Sequence, residues 1–314
     1  AGPILEQLKE TTPSVLAGIC VMSGIYCLVE ALITTVLAKQ YNPDFRYQWG
    51  IENMFFCSFY RVATLGSGSG VAAIIYLGEH GIEYGGGFGL YMIQYALHKI
   101  SIALFSAIFF VMNWEFMRNW FGDYAGLLAA GYVLTLVITL GLFLFCCSNR
   151  FHHLICRLLD FANQKFHGKF EIMAEEIKRQ CMMLEDASNH LMKNKKVTTE
   201  VIFLCLLKCC FWYGIPYLLF KGVRFQGNPA LSLSQVLAIT SLSVMLAAVI
   251  PSPAGIGSTE FVFTSLFAGI VGTGMAGSAS LLYRFGTFVF PFLVGTVVVI
   301  VRHIRRKRAS EDLI

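Results

Sequence analysis

A stretch rich in proline and glycine, Pro251 to Glu260, interrupts the apolar C-terminal third of the chain. The segments on either side, 235–250 and 261–272, are almost wholly apolar. Proline lacks the backbone N–H that a helix uses, and glycine leaves the backbone free to depart from helical angles, so a helix must break here. In hydrocarbon, a broken backbone is tolerated only where protein or a water-filled cavity satisfies its polar groups. The stretch therefore indicates a functional site within a membrane, with a simple proline kink as the alternative.

The composition supports a location in a bilayer. Apolar residues make up 56% of the 314 residues and charged residues 14%, with a mean hydropathy of +0.64, whereas soluble domains carry about 25% charged residues. A chain of this length can form about six to eight spanning or half-spanning helices of ~20 residues each. The sequence therefore predicts an all-α polytopic membrane protein. The net charge of +5 is modest and the basic residues concentrate in two clusters, so we expect no nucleic-acid partner.

Long apolar segments alternate with two pairs of shorter ones. The predicted spanning helices are 14–38, 85–112, 124–147, 197–220 and 279–301. The shorter segments 51–60 and 71–77 flank a glycine-rich run, and 235–250 and 258–272 flank the proline-rich stretch. None of these four can cross about 30 Å of hydrocarbon, so each pair predicts a re-entrant hairpin with a broken tip. Two full-length spans in place of either hairpin are the alternative.

Lysine and arginine residues predict the orientation of the chain. Most of them lie in an amphipathic segment, 149–196, and after residue 301, which places both regions in the cytoplasm by the positive-inside rule. Counting crossings from there, the two hairpins enter from opposite sides and face each other, which is the inverted-repeat plan of secondary transporters. The predicted parts of the single membrane domain, 1–314, are a first repeat at 14–112, a linking helix and cytoplasmic amphipathic segment at 113–196, a second inverted repeat at 197–301 and a basic cytoplasmic tail at 302–314.

This plan also predicts a binding site. The N-termini of half-helices carry free N–H groups and partial positive charge, so two opposed broken hairpins form a seat for a phosphate or carboxylate. Ionisable residues inside spanning segments are costly and mark functional sites. The predicted substrate-binding residues are Pro251, Pro253, Gly255, Gly257, Glu260 and Arg284 in the second hairpin and the helix after it, Gly68, Ser69 and Gly70 in the first hairpin, and Glu30, Lys99 and Lys208 in spanning helices.

Several of these residues have more than one interpretation. Glu30 joins a polar cluster inside the bundle or lies near a hydrated interface. We expect Lys208 to be paired or to extend toward the interface rather than to react. Glu260 pairs with Arg284 or a lysine, receives an ammonium headgroup, or carries a coupled proton. At Gly257 we expect a close approach of the backbone that a larger side chain would block.

No pattern in the chain predicts a metal, a cofactor or a catalytic residue. The ten cysteines form no Cys-x-x-Cys spacing or Cys/His pairing typical of zinc sites, and most of them lie in apolar runs, where cysteine behaves as a small hydrophobe. The glycine-rich run ends in Gly70-Val71-Ala72-Ala73, whereas a nucleotide-binding Walker loop requires a lysine followed by serine or threonine. We therefore expect no nucleotide site there.

The proline-rich stretch resembles a motif of one family, the transmembrane region of lysylphosphatidylglycerol synthases. This region is a flippase-like membrane domain that, in larger members, precedes a cytoplasmic aminoacyl-transfer domain. The family pattern Pro-x-Pro-Gly-Gly-x-Gly-x-x-Glu is met by Pro251, Pro253, Gly255, Gly257 and Glu260, with Ala254 in place of one glycine. Arg284 matches an arginine in the family's next helix.

The similarity to the variant common in low-GC Gram-positive bacteria covers most of the chain, but the first hairpin departs from it. Relatives often have a proline followed by Gly-Gly-Gln-Pro, where this chain has Thr64 and then Gly68-Ser69-Gly70-Val71. The substrate headgroup of the family therefore does not carry over directly from this half of the molecule.

The resemblance implies lipid handling by a multi-pass protein of the cell membrane with a cytoplasmic C-terminus. The predicted function is a lipid translocase, not driven by ATP, that binds an anionic or aminoacylated phospholipid and that forms a homodimer or works with a separate synthase. One alternative is a phosphatidylglycerol lysyltransferase-type enzyme, for which the stretch 149–196 is too short to hold an aminoacyl-transfer domain. Another alternative is a secondary transporter of a small amphipathic solute, which a closed aqueous vestibule would favour over a lateral opening.

Overall fold

The computed structural model describes residues 12–122, 124–165, 171–221 and 230–311. Within these ranges the chain is helical and contains no β-strand. Six helices in the described part are long and apolar enough to cross a membrane. The prediction of an all-α polytopic membrane protein is thereby confirmed.

The helices follow one another with short connections. The first half contains α1 (Pro13–Ala38), α2 (Tyr47–Ala63), α3 (Gly68–Glu79), α4 (Tyr84–Met112), α5 (Trp114–Phe121) and α6 (Tyr124–Cys147). The second half contains α7 (Asn149–Lys165), α8 (Glu171–Leu191), α9 (Lys195–Gly214), α10 (Tyr217–Phe220), α11 (Leu233–Ala247), α12 (Ser258–Val271), α13 (Thr273–Arg284) and α14 (Phe290–Glu311). We call the connection between α2 and α3, residues 64–67, the first break, and the connection between α11 and α12, residues 248–257, the second break.

Most spanning segments begin and end close to where hydropathy and helix signals predict. Pro13 occupies the first position of α1, where its missing N–H is not needed. Within the predicted span 197–220, proline also predicts an interruption near Pro216, and α9 and α10 are separated there. Between the spanning segments 85–112 and 124–147 the sequence predicts a turn at 113–122, whereas the structure forms the amphipathic helix α5 there, which buries Met117. Counting crossings from the two basic segments also predicts that 225–230 lies on the external side, but residues 222–229 lie outside the described ranges.

The last crossing begins earlier than predicted and is not uniform. Helix α13 starts at Thr273 rather than near residue 279, directly after Gly272, whose φ of +82° ends α12. A π-helical turn, Phe285–Val289, joins α13 to α14 just before Pro291, which cannot keep regular helical hydrogen bonding. Ser23 of α1 donates a hydrogen bond to the Gly286 carbonyl in this turn. The helix also continues through most of the predicted tail, because hydropathy marks where hydrocarbon ends and not where a helix ends.

The two pairs of half-length helices open toward opposite ends of α4. Only residues 80–83 separate the end of α3 from the start of α4, so the open end of α2 and α3 lies there. At the other end of α4, the Asn113 side-chain amide donates to the Ser234 carbonyl at 3.3 Å, which places the start of α11 there. The pair α2 and α3 and the pair α11 and α12 therefore approach their breaks from opposite ends of the bundle.

The amphipathic segment 149–196 and the basic end of α14 both lie at the end of the bundle where α3 ends, near Glu79. Arg302 and Arg306 of α14 both form ion pairs with Glu79, the last residue of α3. In α8, His190 Nε2 hydrogen-bonds with the carbonyl oxygen of Gln40, just after α1, at 2.7 Å. The open end of the first pair of half-helices, the amphipathic segment and the end of α14 thus share one side of the molecule.

Candidate functional site

The two breaks meet inside the bundle. A Cβ atom added to Gly66 would lie 3.4 Å from the backbone nitrogen of Ala254. Both breaks use the same backbone geometry, in which a residue with a side chain and then a glycine take positive φ. These angles are +53° and +106° at Leu65 and Gly66, and +52° and +71° at Ala254 and Gly255. Only glycine adopts such angles without strain, so each break contains one strained residue, Leu65 in the first and Ala254 in the second.

A cavity of about 640 Å³ lies where the breaks meet. Helices α1, α2, α4, α9 and α11, the first turns of α3 and α12, and both breaks contribute to its wall. Because α3 and α12 begin at this cavity, both helices present N-terminal N–H groups and partial positive charge near it. Ser69 comes from the first turn of α3, and Ser258 and Thr259 from that of α12. This wall suits an anionic group.

Two cations face the cavity without a neutralising carboxylate. Arg61 comes from the last turn of α2 and Lys99 from the middle of α4. Among the described residues, neither has a carboxylate oxygen within 4.0 Å. Lys99 Nζ lies 5.4 Å from the centre of the Tyr95 ring, a cation–π contact. The cavity therefore carries uncompensated positive charge inside the membrane, which favours binding of an anion.

Arg61 was not among the predicted site residues. It lies next to the glycine-rich run, at the end of an apolar half-helix, and the expectation that ionisable residues in apolar segments mark a site applies to it as it does to Lys99. The sequence did contain a signal for Arg61. That Arg61 faces the same cavity as Lys99 depends on how the helices pack, which no local pattern shows.

Glu30 adds no net charge to the cavity because it is already paired. Lys208 Nζ forms an ion pair with Glu30 Oε2, and the Lys208 side chain is 1% exposed. The Gln94 amide donates to Glu30 Oε1 and to Thr34 Oγ1, each at 3.0 Å. The prediction of a polar cluster at Glu30 and the prediction of a paired Lys208 are both confirmed. Lys208 lies behind the cavity wall, while Glu30 and Gln94 line it.

Glu260 and Arg284 hold the second break in place. Arg284 Nε donates to Glu260 Oε1 at 2.7 Å, as one of the alternatives for Glu260 predicted. The other oxygen, Glu260 Oε2, accepts the Gly257 N–H at 2.8 Å, and Arg284 Nη2 lies 3.5 Å from the Ala254 carbonyl oxygen. This ion pair ties the start of α12, the end of α13 and the break together. Neither side chain lines the cavity.

Some of the predicted substrate-binding residues line the cavity and the others lie outside its wall. The cavity wall contains Pro251, Gly255 and Ser69, together with Lys99 and Glu30. The residues outside this wall are Pro253, Gly257, Gly68, Gly70 and Lys208, like Glu260 and Arg284. Direct contact with a ligand in the cavity was expected of these residues, whereas the structure places them outside its wall.

Glycine is required at Gly70 and at Gly257 for different structural reasons. A Cβ added to Gly70 would lie 2.9 Å from the Tyr91 ring, so α3 and α4 approach closely there. At Gly257 a Cβ would meet no atom within 4 Å, so the expected close approach is wrong. Glycine is instead required there because φ is +85°.

Two residues that line the cavity are exposed and lie about halfway along the spanning helices. Of the residues that line it, Tyr95 is 40% exposed and Ile250 is 41% exposed. Tyr95 lies 11 residues after the start of α4, about 16 Å along its axis. Ile250 belongs to the second break, between two half-length helices.

In the described part of the chain, no group of three or more His, Cys, Asp or Glu side chains could hold a metal ion.

The family model of the lysylphosphatidylglycerol synthase TM region matches residues 1–295. No curated protein matches the chain.

Proposed function

The chain belongs to the lysylphosphatidylglycerol synthase TM-region family, and we propose that it is a lipid translocase that binds an anionic or aminoacylated phospholipid between its two breaks. The family and the helical membrane fold relate the protein to lysylphosphatidylglycerol handling. The step from handling to translocation rests mainly on one observation, the cavity between the breaks that presents Arg61 and Lys99 without a neutralising carboxylate.

The charges and helix ends of the cavity support a phosphate-bearing ligand. Arg61 and Lys99 supply two full positive charges, and α3 and α12 direct their N-termini to the same space. Burying two cations without a counter-ion is unfavourable, so a bound anion would restore the balance.

The size and opening of the cavity support a lipid over a small solute. About 640 Å³ is within the range of pockets that enclose a small molecule, which suits a headgroup. Two exposed lining residues, Tyr95 and Ile250, lie between the ends of the spanning helices, and we infer that the cavity opens beside them at the depth of the acyl chains. A lipid could then place its headgroup inside while its chains stay in the membrane, whereas a solute would need an aqueous path from one end.

The opposed breaks support transport through alternating access. We propose that residues 14–112 and 197–301 act as inverted repeats within a single membrane domain, with 113–196 and the basic tail at the cytoplasmic face of the cell membrane. In such transporters the substrate binds where the broken helices meet, and one repeat moves against the other. The contact between Gly66 and Ala254 lies at that position.

The test is a lipid-scrambling assay with purified protein in liposomes. With headgroup-labelled phosphatidylglycerol, we expect inner-leaflet label to become accessible to an impermeant quencher without added ATP. Replacing Arg61 or Lys99 by Gln should slow this by tenfold or more, since a lost hydrogen bond to a charged group costs roughly 1.5–3 kcal/mol. Arg118→Gln is the matched control, because Arg118 is exposed on α5, away from the cavity.

Other outcomes separate the alternative functions. If the label stays in place while aminoacyl-tRNA yields lysyl lipid in the same vesicles, the protein is an enzyme and the translocase proposal fails. If neither occurs, a small-solute transporter or a subunit that binds lipid for a separate synthase takes its place. Unchanged scrambling in both the Arg61 and Lys99 variants would show that the cavity is not the route.

A further inference from the structure

Helices α7 and α8 form an antiparallel pair at the end of the bundle where α3 ends. The Ser188 hydroxyl of α8 donates to the carbonyl of Cys147, the last residue of α6, at 3.1 Å. Farther along the pair, Lys178 of α8 forms an ion pair with Asp160 of α7. Each helix therefore has one side covered by its neighbours and one side left exposed.

The exposed side of α7 combines basic and large apolar residues. On the covered side, His152 is 1% exposed, and its Nε2 hydrogen-bonds with the carbonyl oxygen of Phe145 in α6 at 2.5 Å. The exposed side follows the spacing of one helical face, i, i+3, i+4, i+7 and i+8. We call it the α7 face, and it consists of Arg150, His153, Leu154, Arg157 and Leu158. Leu154 and Leu158 are 51% and 58% exposed.

The α7 face carries a net positive charge. Among the described residues, neither Arg150 nor Arg157 has a carboxylate oxygen within 4.0 Å. The sequence of α7 contains one acidic residue, Asp160, and its carboxylate pairs with Lys178 of α8. The two arginines are thus available to an anionic partner.

The exposed side of α8 has the opposite character. It consists of Glu175, Glu176, Arg179, Met182 and Asp186. Arg179 pairs with Glu176 at 2.8 Å, so Glu175 and Asp186 leave this side with more negative than positive charge. An anionic surface would therefore attract the α7 face and repel the exposed side of α8, which orients the pair of helices with α7 toward that surface.

Helix α7 begins where the hydrocarbon ends. The apolar spanning segment of α6 extends to Cys147, and α7 starts at Asn149. The bond from His152 to the Phe145 carbonyl holds the start of α7 beside the last turns of α6. A helix at this depth with leucine and arginine on one face suits the headgroup region, where leucine reaches the acyl boundary and arginine contacts phosphate.

We propose that the α7 face lies on the membrane and binds anionic phospholipid headgroups of the leaflet at that end of the bundle. Leu154 and Leu158 enter the acyl boundary, while Arg150 and Arg157 contact the phosphates. The position of α7 directly after a spanning helix favours the membrane over a soluble acidic protein. This membrane contact is independent of lipid translocation, because no residue of the α7 face lines the cavity between the breaks.

The experiment uses the full chain in nanodiscs of phosphatidylcholine alone or mixed in equal parts with phosphatidylglycerol. A photoreactive benzoylphenylalanine replaces Leu158 on the α7 face or, as the matched control, Met182 on the exposed side of α8, since the two side chains are similarly exposed. Mass spectrometry after illumination should find lipid adducts at position 158, several-fold more with phosphatidylglycerol present, and few adducts at position 182.

Further variants separate the basic part of the α7 face from its apolar part. With the photoreactive group at position 158, Arg150→Gln and Arg157→Gln should each lower the adducts in the mixed nanodiscs roughly fivefold, as expected when one basic residue beside an anionic surface is lost. Arg179→Gln on α8 should leave them unchanged. Leu154→Ser should lower the adducts in both kinds of nanodisc, because it removes apolar contact and no charge.

Three results would overturn the proposal: equal labelling of positions 158 and 182, adducts that do not depend on phosphatidylglycerol, or insensitivity to both arginine variants. Crosslinks from position 158 to a protein chain in place of lipid would also overturn it, since the α7 face would then be a protein interface. Arg61→Gln should keep the adducts while losing scrambling, so failure of the membrane contact and failure of the translocase function give different results.

Discussion

The two breaks have similar backbone geometry but are stabilised differently. At the first break the contacts are local, since Thr64 Oγ1 accepts the Gly68 N–H at 2.6 Å and Ser67 donates to the Thr64 carbonyl at 2.9 Å. At the second break the Glu260–Arg284 ion pair joins two helices to the connection between them. The first break therefore depends on short-range hydrogen bonds, while the second depends on tertiary structure.

The different stabilisation of the two breaks indicates which of them can move. Local hydrogen bonds between neighbouring residues persist when a segment shifts, whereas an ion pair between two helices opposes any relative movement of those helices. Thr64 and Ser67 of the first break also line a second pocket, beside α3 and α14, whereas Pro251 and Gly255 of the second break line the cavity. We therefore expect the first break to be the moving element and the second to be the fixed one.

The largest expected effect is at the ion pair of the second break. Glu260→Gln or Arg284→Ala leaves a partly buried charge without its partner, and each should lower the free energy of unfolding by up to about 3–5 kcal/mol. The double variant should lose less than the sum of the two, because no charge is then left unpaired. Thermal unfolding in detergent measures all three against Arg305→Ala, whose exposed pair with Glu52 at 3.9 Å should contribute little. Strict additivity would show that the pair does not stabilise the break.

A smaller effect is expected at the first break. Thr64→Val keeps the shape of the side chain but removes the acceptor of the Gly68 N–H, so it should cost about 1 kcal/mol, as the loss of a helix-capping hydroxyl does. Thr296→Val is the control, since that hydroxyl only donates to the Phe292 carbonyl within α14. Scrambling rate is the second measurement. A loss of stability at Thr64 as large as at Arg284 would contradict the distinction between a local and a tertiary break.

The smallest expected effect is a gain in stability. Leu65→Gly and Ala254→Gly each relieve a positive φ, which costs a residue with a Cβ roughly 1–2 kcal/mol, but glycine also makes the unfolded chain more flexible. We expect a net gain of up to about 1 kcal/mol at Ala254 in thermal unfolding. The matched control is Ala248→Gly, which should destabilise because Ala248 has an ordinary helical φ of −66°. If Ala254→Gly also destabilises, strain at the second break is not significant.

The sequence by itself determined the membrane character, most helix boundaries and the positions of both breaks. These are properties of neighbouring residues, since an apolar run of sufficient length predicts a span, and proline or glycine in such a run predicts an interruption. The sequence predicted that Glu260, Glu30 and Lys208 each have a polar or charged partner, because a charge inside a membrane needs one. The π-helical turn before Pro291 and the helix within the basic tail were not predicted.

Only the tertiary structure decided which charges are neutralised and which face the cavity. The sequence presents Glu30, Arg61, Lys99 and Lys208 as four charged residues in apolar surroundings, with no sign of how they combine. Packing of α1 against α9 joins Glu30 to Lys208, and this leaves Arg61 and Lys99 facing the cavity without a carboxylate partner among the described residues. Electrostatic energy depends on distances between residues that are far apart in sequence, here 178 positions for Glu30 and Lys208, and those distances exist only in the folded bundle.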